Sequence, residues 1–133
     1  MKAIELLLQD VQSTDPRTRD LAALDLMDIG DERAIHALWA AIERPENVNH
    51  RGTLVYALSA FDPSTHLESL VMLALTGNFE VSLGAVSILD SATHPPESLE
   101  RIRVQLARHP ADGLTEGHHT TALRALRELI QIE

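Results

Sequence analysis

The sequence contains no cysteine, so neither disulfides nor thiolate metal sites can hold this protein together. Aromatic residues make up only 3% of its 133 residues, which leaves leucine, alanine, isoleucine and valine to form the core. These side chains suit close packing of helices better than a sandwich or a barrel. The composition therefore predicts an all-α protein whose fold depends on the burial of aliphatic side chains.

Long apolar runs and an excess of positive charge are also missing. No stretch approaches the roughly 18 apolar residues of a membrane span, and Glu5, Gln9 and Asp10 interrupt the first apolar segment before it reaches signal-peptide length. The sequence therefore predicts a cytosolic, soluble protein. The formal net charge of −9 repels phosphate groups, so nucleic acid and anionic membranes are poor candidate ligands and a partner with a basic surface is favoured.

Motifs that carry catalysis are not found. The sequence has no Gly-x-Ser-x-Gly elbow and no glycine-rich phosphate loop, and its seven histidines form no His-Glu-x-x-His motif. His118 and His119 are adjacent, and neighbouring helical side chains point about 100° apart, which disfavours a shared metal ion. Asp25 and Asp28 are interpreted as a solvated helix face rather than a catalytic pair. We expect no enzyme activity, no cofactor and no metal.

The sequence does contain a regular alternation of apolar helical segments and helix-ending residues. Pro16 suits the first position of a helix for which Asp15 is the N-cap, and Gly30 suits its C-terminal end. Similar signals predict eight helices in four pairs. These helices are expected near residues 4–11, 16–29, 33–44, 48–61, 67–75, 79–92, 99–107 and 122–130.

The helix pairs repeat along the chain. Aligned on the second helix of each pair, Leu26, Leu58 and Leu89 share one column at spacings of 32 and 31 residues, and Arg19, Arg51 and Ser82 share another. A unit this short must stack on its neighbours to bury its apolar face. We predict a single domain over residues 1–133 with four units at about 1–30, 31–62, 63–94 and 95–133. The recurring arginines are interpreted as bridges to acids or carbonyls of the neighbouring unit.

The segment Asp15-Pro16-Arg17-Thr18-Arg19, followed by Ala22-Ala23, Leu26 and Ile29-Gly30-Asp31, resembles the second helix of a HEAT repeat. The residues after it, 32–38, are similar to the first helix of the next repeat. The chain thus resembles the compact bacterial HEAT-like type, most clearly in its first two units. The resemblance implies a short right-handed α-solenoid whose concave face is lined by the second helix of each pair. The HEAT family as a whole has no single function.

A helical wheel of the second helix separates a buried arc from an acidic face. Ala22, Ala23, Leu26, Met27 and Ile29 fall on the predicted buried arc. The opposite face, carried forward by one and two repeats and extended by Asp90, gives the candidate partner-binding residues Asp20, Leu24, Asp25, Asp28, Asn49, Thr53, Tyr56, Glu80, Leu83, Ser87 and Asp90. Tyr56 is either the anchor of this face or a partly buried core residue. Trp39, on the third helix, is assigned to the core.

These observations favour a non-catalytic binding module that takes up a basic protein partner on an acidic concave face. An immunity-type inhibitor that covers the cationic active site of a toxin nuclease is one form of this hypothesis, and an adaptor or scaffold is another. The alternative is an enzyme or enzyme subunit, because HEAT-like repeats also occur in bilin lyases and metal-dependent hydroxylases. A HEAT-like DNA-repair enzyme ranks last, since the predicted groove is anionic. The oligomeric state is left open.

Overall fold

The computed structural model describes residues 2–108 and 117–131. Within these ranges the chain forms eight α-helices, two short 3-10 helices and no strand, so the prediction of an all-α protein is confirmed. The α-helices are α1 (Ile4–Asp10), α2 (Pro16–Ile29), α3 (Arg33–Ile42), α4 (Gly52–Ala57), α5 (Leu67–Thr76), α6 (Phe79–Ser91), α7 (Pro96–Ala107) and α8 (Gly117–Gln131). Residues 109–116, between α7 and α8, lie outside the described residues.

The chain divides into two compact units, Met1–Phe61 and Asp62–Glu133. In the first unit α2 packs against α1 and α4, and α3 packs against α4. In the second unit α5 packs on α6, and α8 contacts α5, α6 and α7. Each core is aliphatic, except that Trp39 is buried in the first unit, as predicted. The finer division into four repeating units stays a prediction.

Helix α2 begins and ends where the sequence predicts. The Asp15 carboxylate accepts hydrogen bonds from the backbone N–H of Thr18, at 3.3 Å, and from the Thr18 hydroxyl, at 2.7 Å. Pro16 occupies the first helical position. Gly30 ends the helix with a φ of +73°, a conformation that glycine adopts without a Cβ penalty. All of these signals act within a few residues of the helix ends.

The prediction for the fourth helix is wrong in its extent. Residues 48–61 were expected to be helical, but α4 covers only Gly52–Ala57, with 3-10 helices at Pro45–Asn47 and Leu58–Ala60. The cause is Asn47, which is buried and donates from Nδ2 to the carbonyl of Ala41 at 2.9 Å. This bond holds the chain in a turn before α4. The predicted burial of Ile29 is also wrong, because its side chain lies at the end of α2 and is 38% exposed.

The N-cap of α2 makes the stability of the protein depend on pH. Hydrogen bonds from Thr18 hold the pKa of Asp15 below its ordinary value. A carboxyl group whose pKa is lowered by folding contributes stability that is complete above its ordinary pKa, near pH 4, and is lost as the pH falls through its folded value. We expect Asp15→Asn, which keeps a good cap but cannot titrate, to lose less stability between about pH 7 and about pH 2 than the parent protein. Urea unfolding at both pH values measures this difference, and equal losses would contradict it.

Among the described residues, none of the helices combines the length and the apolar character that a membrane crossing requires.

Candidate functional site

The predicted acidic face of α2 is only partly available. Asp28 is exposed, whereas Leu24 and Asp25 are half-buried. The Asp20 carboxylate is held by its neighbour, because its Oδ1 accepts a hydrogen bond from Nε of Arg19 at 2.9 Å. Leu21 lies on the same helix with more than half of its surface exposed. The face of α2 therefore offers the exposed carboxylate of Asp28, the half-buried carboxylates of Asp20 and Asp25, and the exposed side chain of Leu21.

An open cavity of about 610 Å³ lies between α1 and α2. It is lined by Lys2, Leu7, Asp10, Arg17, Thr18, Leu21, Ala22 and Asp25. Lys2 and Asp10, which both belong to this lining, form an ion pair at 2.7 Å. Arg17 and Asp25 are separated by eight residues of α2, which is about 12 Å along the helix. The lining thus contains both signs of charge, and Asp25 belongs to its wall as well as to the predicted binding face.

Helix α4 presents Tyr56 to solvent. This side chain is 58% exposed, while Leu54, Val55 and Ala57 around it are fully buried. The alternative that placed Tyr56 in the core is therefore wrong, and its role as an anchor stays a prediction. Of the other two candidates in this region, Asn49 is exposed in the turn before α4 and Thr53 is half-buried.

In the second unit, all four candidate residues of α6 are exposed: Glu80, Leu83, Ser87 and Asp90. Leu83 is 58% exposed, and Phe79 at the start of the helix is 63% exposed. Sequence reasoning missed Phe79. The sequence feature that points to Phe79 is its position directly after Asn78, the N-cap of α6. The Asn78 side chain accepts a hydrogen bond from the N–H of Val81 at 3.0 Å. An aromatic residue at the first position of a helix projects from the end of the packed face.

Phe79 and Leu83 form one wall of an apolar groove of about 130 Å³ between α6 and α8. The groove is lined by Phe79, Ser82, Leu83, Val86, His118, Thr121, Ala122 and Ala125. The Phe79 and His118 rings are nearly perpendicular, with a centroid distance of 5.8 Å. This groove is an apolar surface feature beside Leu83, a predicted binding residue.

His118 and His119 converge on one acceptor. Their Nε2 atoms lie 3.1 Å and 2.5 Å from the carbonyl oxygen of Gly77, and their ring centroids are 4.2 Å apart. His119 is buried, and its Nδ1 has no hydrogen-bond partner among the described residues. The pair therefore fastens the start of α8 to the turn between α5 and α6. No group of three or more histidine, aspartate or glutamate side chains suited to a metal ion occurs in the described part of the chain.

The three residues of the recurring column differ in their surroundings. Arg19 is buried and donates to Asp20 and, from a terminal nitrogen, to Oδ1 of Asn47 at 2.9 Å. Arg51 is half-buried, its Nε lacks a partner among the residues described, and burial lowers its pKa. Ser82 is buried and donates to the carbonyl of Ala74 at 2.6 Å. Arg19 therefore binds its adjacent acid and a side-chain amide, whereas Nε of Arg51 makes no bridge to a described residue; bridging between repeat units stays a prediction.

Comparisons with family models, with curated proteins and with solved structures found no match for this chain, so no relative assigns a function to these surfaces.

Proposed function

We propose that this protein is a non-catalytic, HEAT-like binding module that engages a protein partner with a basic surface. In this proposal the helices stack as a short right-handed α-solenoid, and the second helix of each pair faces the partner. Packing of consecutive helices within each unit, α1 on α2, α5 on α6 and α7 on α8, supports the helical hairpin as the repeated element. The region around α4 departs most from this hairpin pattern, because its α-helix is short and 3-10 helices lie before and after it.

One observation carries the functional part of the proposal. Leu21, Tyr56 and Leu83 lie on three different second helices, and each is more than half exposed. Exposed tyrosine side chains are typical of the energetically important centre of a protein interface, and exposed leucine side chains add apolar area that a partner can bury. Asp25 and Asp28 lie near Leu21, and Glu80 near Leu83. Leu21 and Leu83 therefore each have carboxylates nearby on the same helix, and Tyr56 adds an exposed aromatic side chain.

The charge of the protein determines which partner fits these surfaces. The formal net charge is −9, so a basic protein is attracted over a longer distance than a neutral one, and the rate of association falls as salt screens the field. An immunity-type inhibitor that covers the cationic active site of a toxin is the most specific form of the proposal. An adaptor or scaffold with a basic partner uses the same surfaces. No specific observation in the described residues favours the enzyme alternative.

Reversal of charge on α2 is expected to weaken partner binding. The partner is first isolated by affinity capture on the immobilised protein and identified by mass spectrometry, and its affinity is then measured from about 50 to about 300 mM salt. We expect a basic partner whose affinity falls about tenfold or more over this range. Asp25→Lys/Asp28→Lys is expected to slow association about tenfold at low salt.

The matched control makes the same change of net charge away from the second helices of the predicted pairs. Glu97 lies on α7, a first helix, and Glu43 directly follows α3, another first helix. Glu43 and Glu97 are exposed, and Glu43→Lys/Glu97→Lys is expected to change the association rate by less than about twofold. Acidic partners, or binding that is indifferent to salt, would refute the proposal. Inhibition of a captured nuclease at equimolar ratio would distinguish the inhibitor from the adaptor.

A further inference from the structure

The groove between α6 and α8 has room for one aliphatic side chain. Its volume is about 130 Å³, and its walls are formed mainly by aliphatic and aromatic groups from both helices. Phe79 and Leu83 stand at its edge with more than half of their surface in water. Burial of such a surface by an incoming apolar group is favourable in proportion to the area removed from water.

The polar side chains of the groove are already hydrogen-bonded within the protein. Ser82 donates to the carbonyl of Ala74 at 2.6 Å, and Thr121 donates to that of Gly117 at 3.3 Å. His118 contacts the carbonyl of Gly77 through Nε2. A ligand acceptor would have to compete with these internal bonds for the hydroxyl donors, whereas an apolar group would not. The floor of the groove therefore selects an apolar side chain.

The helix that forms the α6 side of the groove is acidic. Helix α6 contains neither lysine nor arginine, and its exposed carboxylates, Glu80 and Asp90, lie on either side of Leu83 along the helix. Their separation of ten residues corresponds to about 15 Å. On α8, the exposed charged side chains are Arg124, Arg127 and Glu128. The three exposed carboxylates of α6 and α8 thus outnumber the two exposed arginines, and both carboxylates of α6 lie on a helix without cations.

We propose that this groove docks a basic segment of the partner protein, which inserts one aliphatic side chain between α6 and α8 and places lysine or arginine side chains against Glu80 and Asp90. This inference rests on the proposed function and adds the chemistry of the segment that the second unit recognises. If the segment is helical, cations one turn before and one turn after the anchor come within reach of the two carboxylates. A second copy of this chain fits less well, because it carries the same negative charge.

The probe is a synthetic helical peptide of about 15 residues with a central leucine and a lysine four residues before and four residues after it. Titration into the isotope-labelled protein is expected to shift amide signals of α6 and α8 in a saturable manner. Replacement of the central leucine by alanine is expected to weaken binding about tenfold. Replacement of both lysines by glutamate is expected to abolish binding at low salt.

Two protein variants test the groove itself. Ala125→Trp fills it and is expected to abolish peptide binding. Leu83→Ala removes an exposed wall, leaves the fold intact and is expected to weaken binding about fivefold. The control is Ala107→Trp, the same substitution at an exposed residue at the end of α7, which should leave binding unchanged. Far-UV circular dichroism establishes that each variant is folded.

The outcomes separate this inference from the proposed function. If the captured partner is weakened by Asp25→Lys/Asp28→Lys but not by Ala125→Trp or Leu83→Ala, the groove proposal is wrong and the proposed function stands. If neither set of variants weakens the partner, the proposed function fails as well. Absence of peptide binding at millimolar concentration would overturn the groove proposal. A change in sedimentation of the protein alone on Ala125→Trp would overturn it in favour of a second copy.

Discussion

Replacement of Arg19 by alanine is expected to lower the free energy of unfolding by about 3 to 4 kcal/mol. The Arg19 side chain is buried in the first unit, where its Nε donates to Asp20 and a terminal nitrogen donates to Oδ1 of Asn47. Asn47 is itself buried and donates to the carbonyl of Ala41 at 2.9 Å. Loss of the guanidinium leaves a buried amide oxygen without a donor and creates a cavity. Urea denaturation of the parent protein and the variant measures the loss.

The matched control for this prediction is Arg51, one repeat later in the sequence. The residue after it is Gly52 rather than an aspartate, and its buried Nε has no partner among the described residues. Arg51→Ala is therefore expected to cost less than about 1 kcal/mol, and Arg51→Met to be neutral or slightly stabilising. If Arg19→Ala and Arg51→Ala cost the same, the hydrogen-bond network of Arg19 is not the source of its contribution.

Features that depend on neighbouring residues could be predicted from the sequence. Helix α2 begins at Pro16 and ends at Ile29 because Asp15 caps it and Gly30 supplies a positive φ, and neither effect needs the rest of the fold. The burial of Trp39 follows in the same way from the apolar face of α3. These local signals account for the agreement on the number of helices.

Features that depend on distant contacts could not be predicted. The turn before α4 exists because the Asn47 side chain reaches back to Ala41 and is met by Arg19, a residue 28 positions earlier. The sequence predicts a break in the helices between residues 44 and 48, but it does not show that α4 begins only at Gly52. The same contact explains why Asp20 is half-buried and ion-paired, since its carboxylate accepts a hydrogen bond from the buried guanidinium.

On the candidate binding surface too, local features could be predicted from the sequence and distant contacts could not. The helical wheel identifies Leu83 as a surface residue of α6 because exposure follows from helical phase. The groove beside it was missed because it depends on where α8 packs against α6, and Ala125 is far from Leu83 in sequence. The convergence of His118 and His119 was missed for a related reason. Adjacent side chains diverge at the backbone, but their rings turn toward the shared carbonyl of Gly77.

Gly77, whose carbonyl oxygen both histidines contact, is the second position at which a substitution is expected to have a large effect on stability. A Cβ on Gly77 would lie 2.6 Å from the carbonyl oxygen of Leu73 and 2.5 Å from Cγ1 of Val81. The φ of Gly77 is −71°, which any residue adopts, so the penalty of Gly77→Ala is steric rather than conformational. The Leu73 oxygen belongs to the helix backbone and cannot rotate away as a side chain would. The turn itself must move, and the contacts of the two histidines move with it.

Gly77→Ala is therefore expected to lower the free energy of unfolding by about 3 kcal/mol or more. Two other glycines provide a graded control. Gly30→Ala meets no atom within 4 Å but places a Cβ at a φ of +73°, and should cost about 1 kcal/mol. Gly117→Ala, at the first residue of α8, also meets nothing within 4 Å and should be neutral or slightly stabilising.

The double variant Gly77→Ala/Val81→Ala separates the two clashes. Truncation of Val81 removes the side chain that the new methyl group would meet, but it leaves the contact with the Leu73 oxygen. The double variant is therefore expected to be less destabilised than the sum of the two single variants, without full recovery. Nitrogen-15 spectra of the His118 and His119 rings should shift in both variants that carry Gly77→Ala. If Gly77→Ala is no more destabilising than Gly117→Ala, the turn has room for a methyl group and does not hold α8 in the way that these contacts indicate.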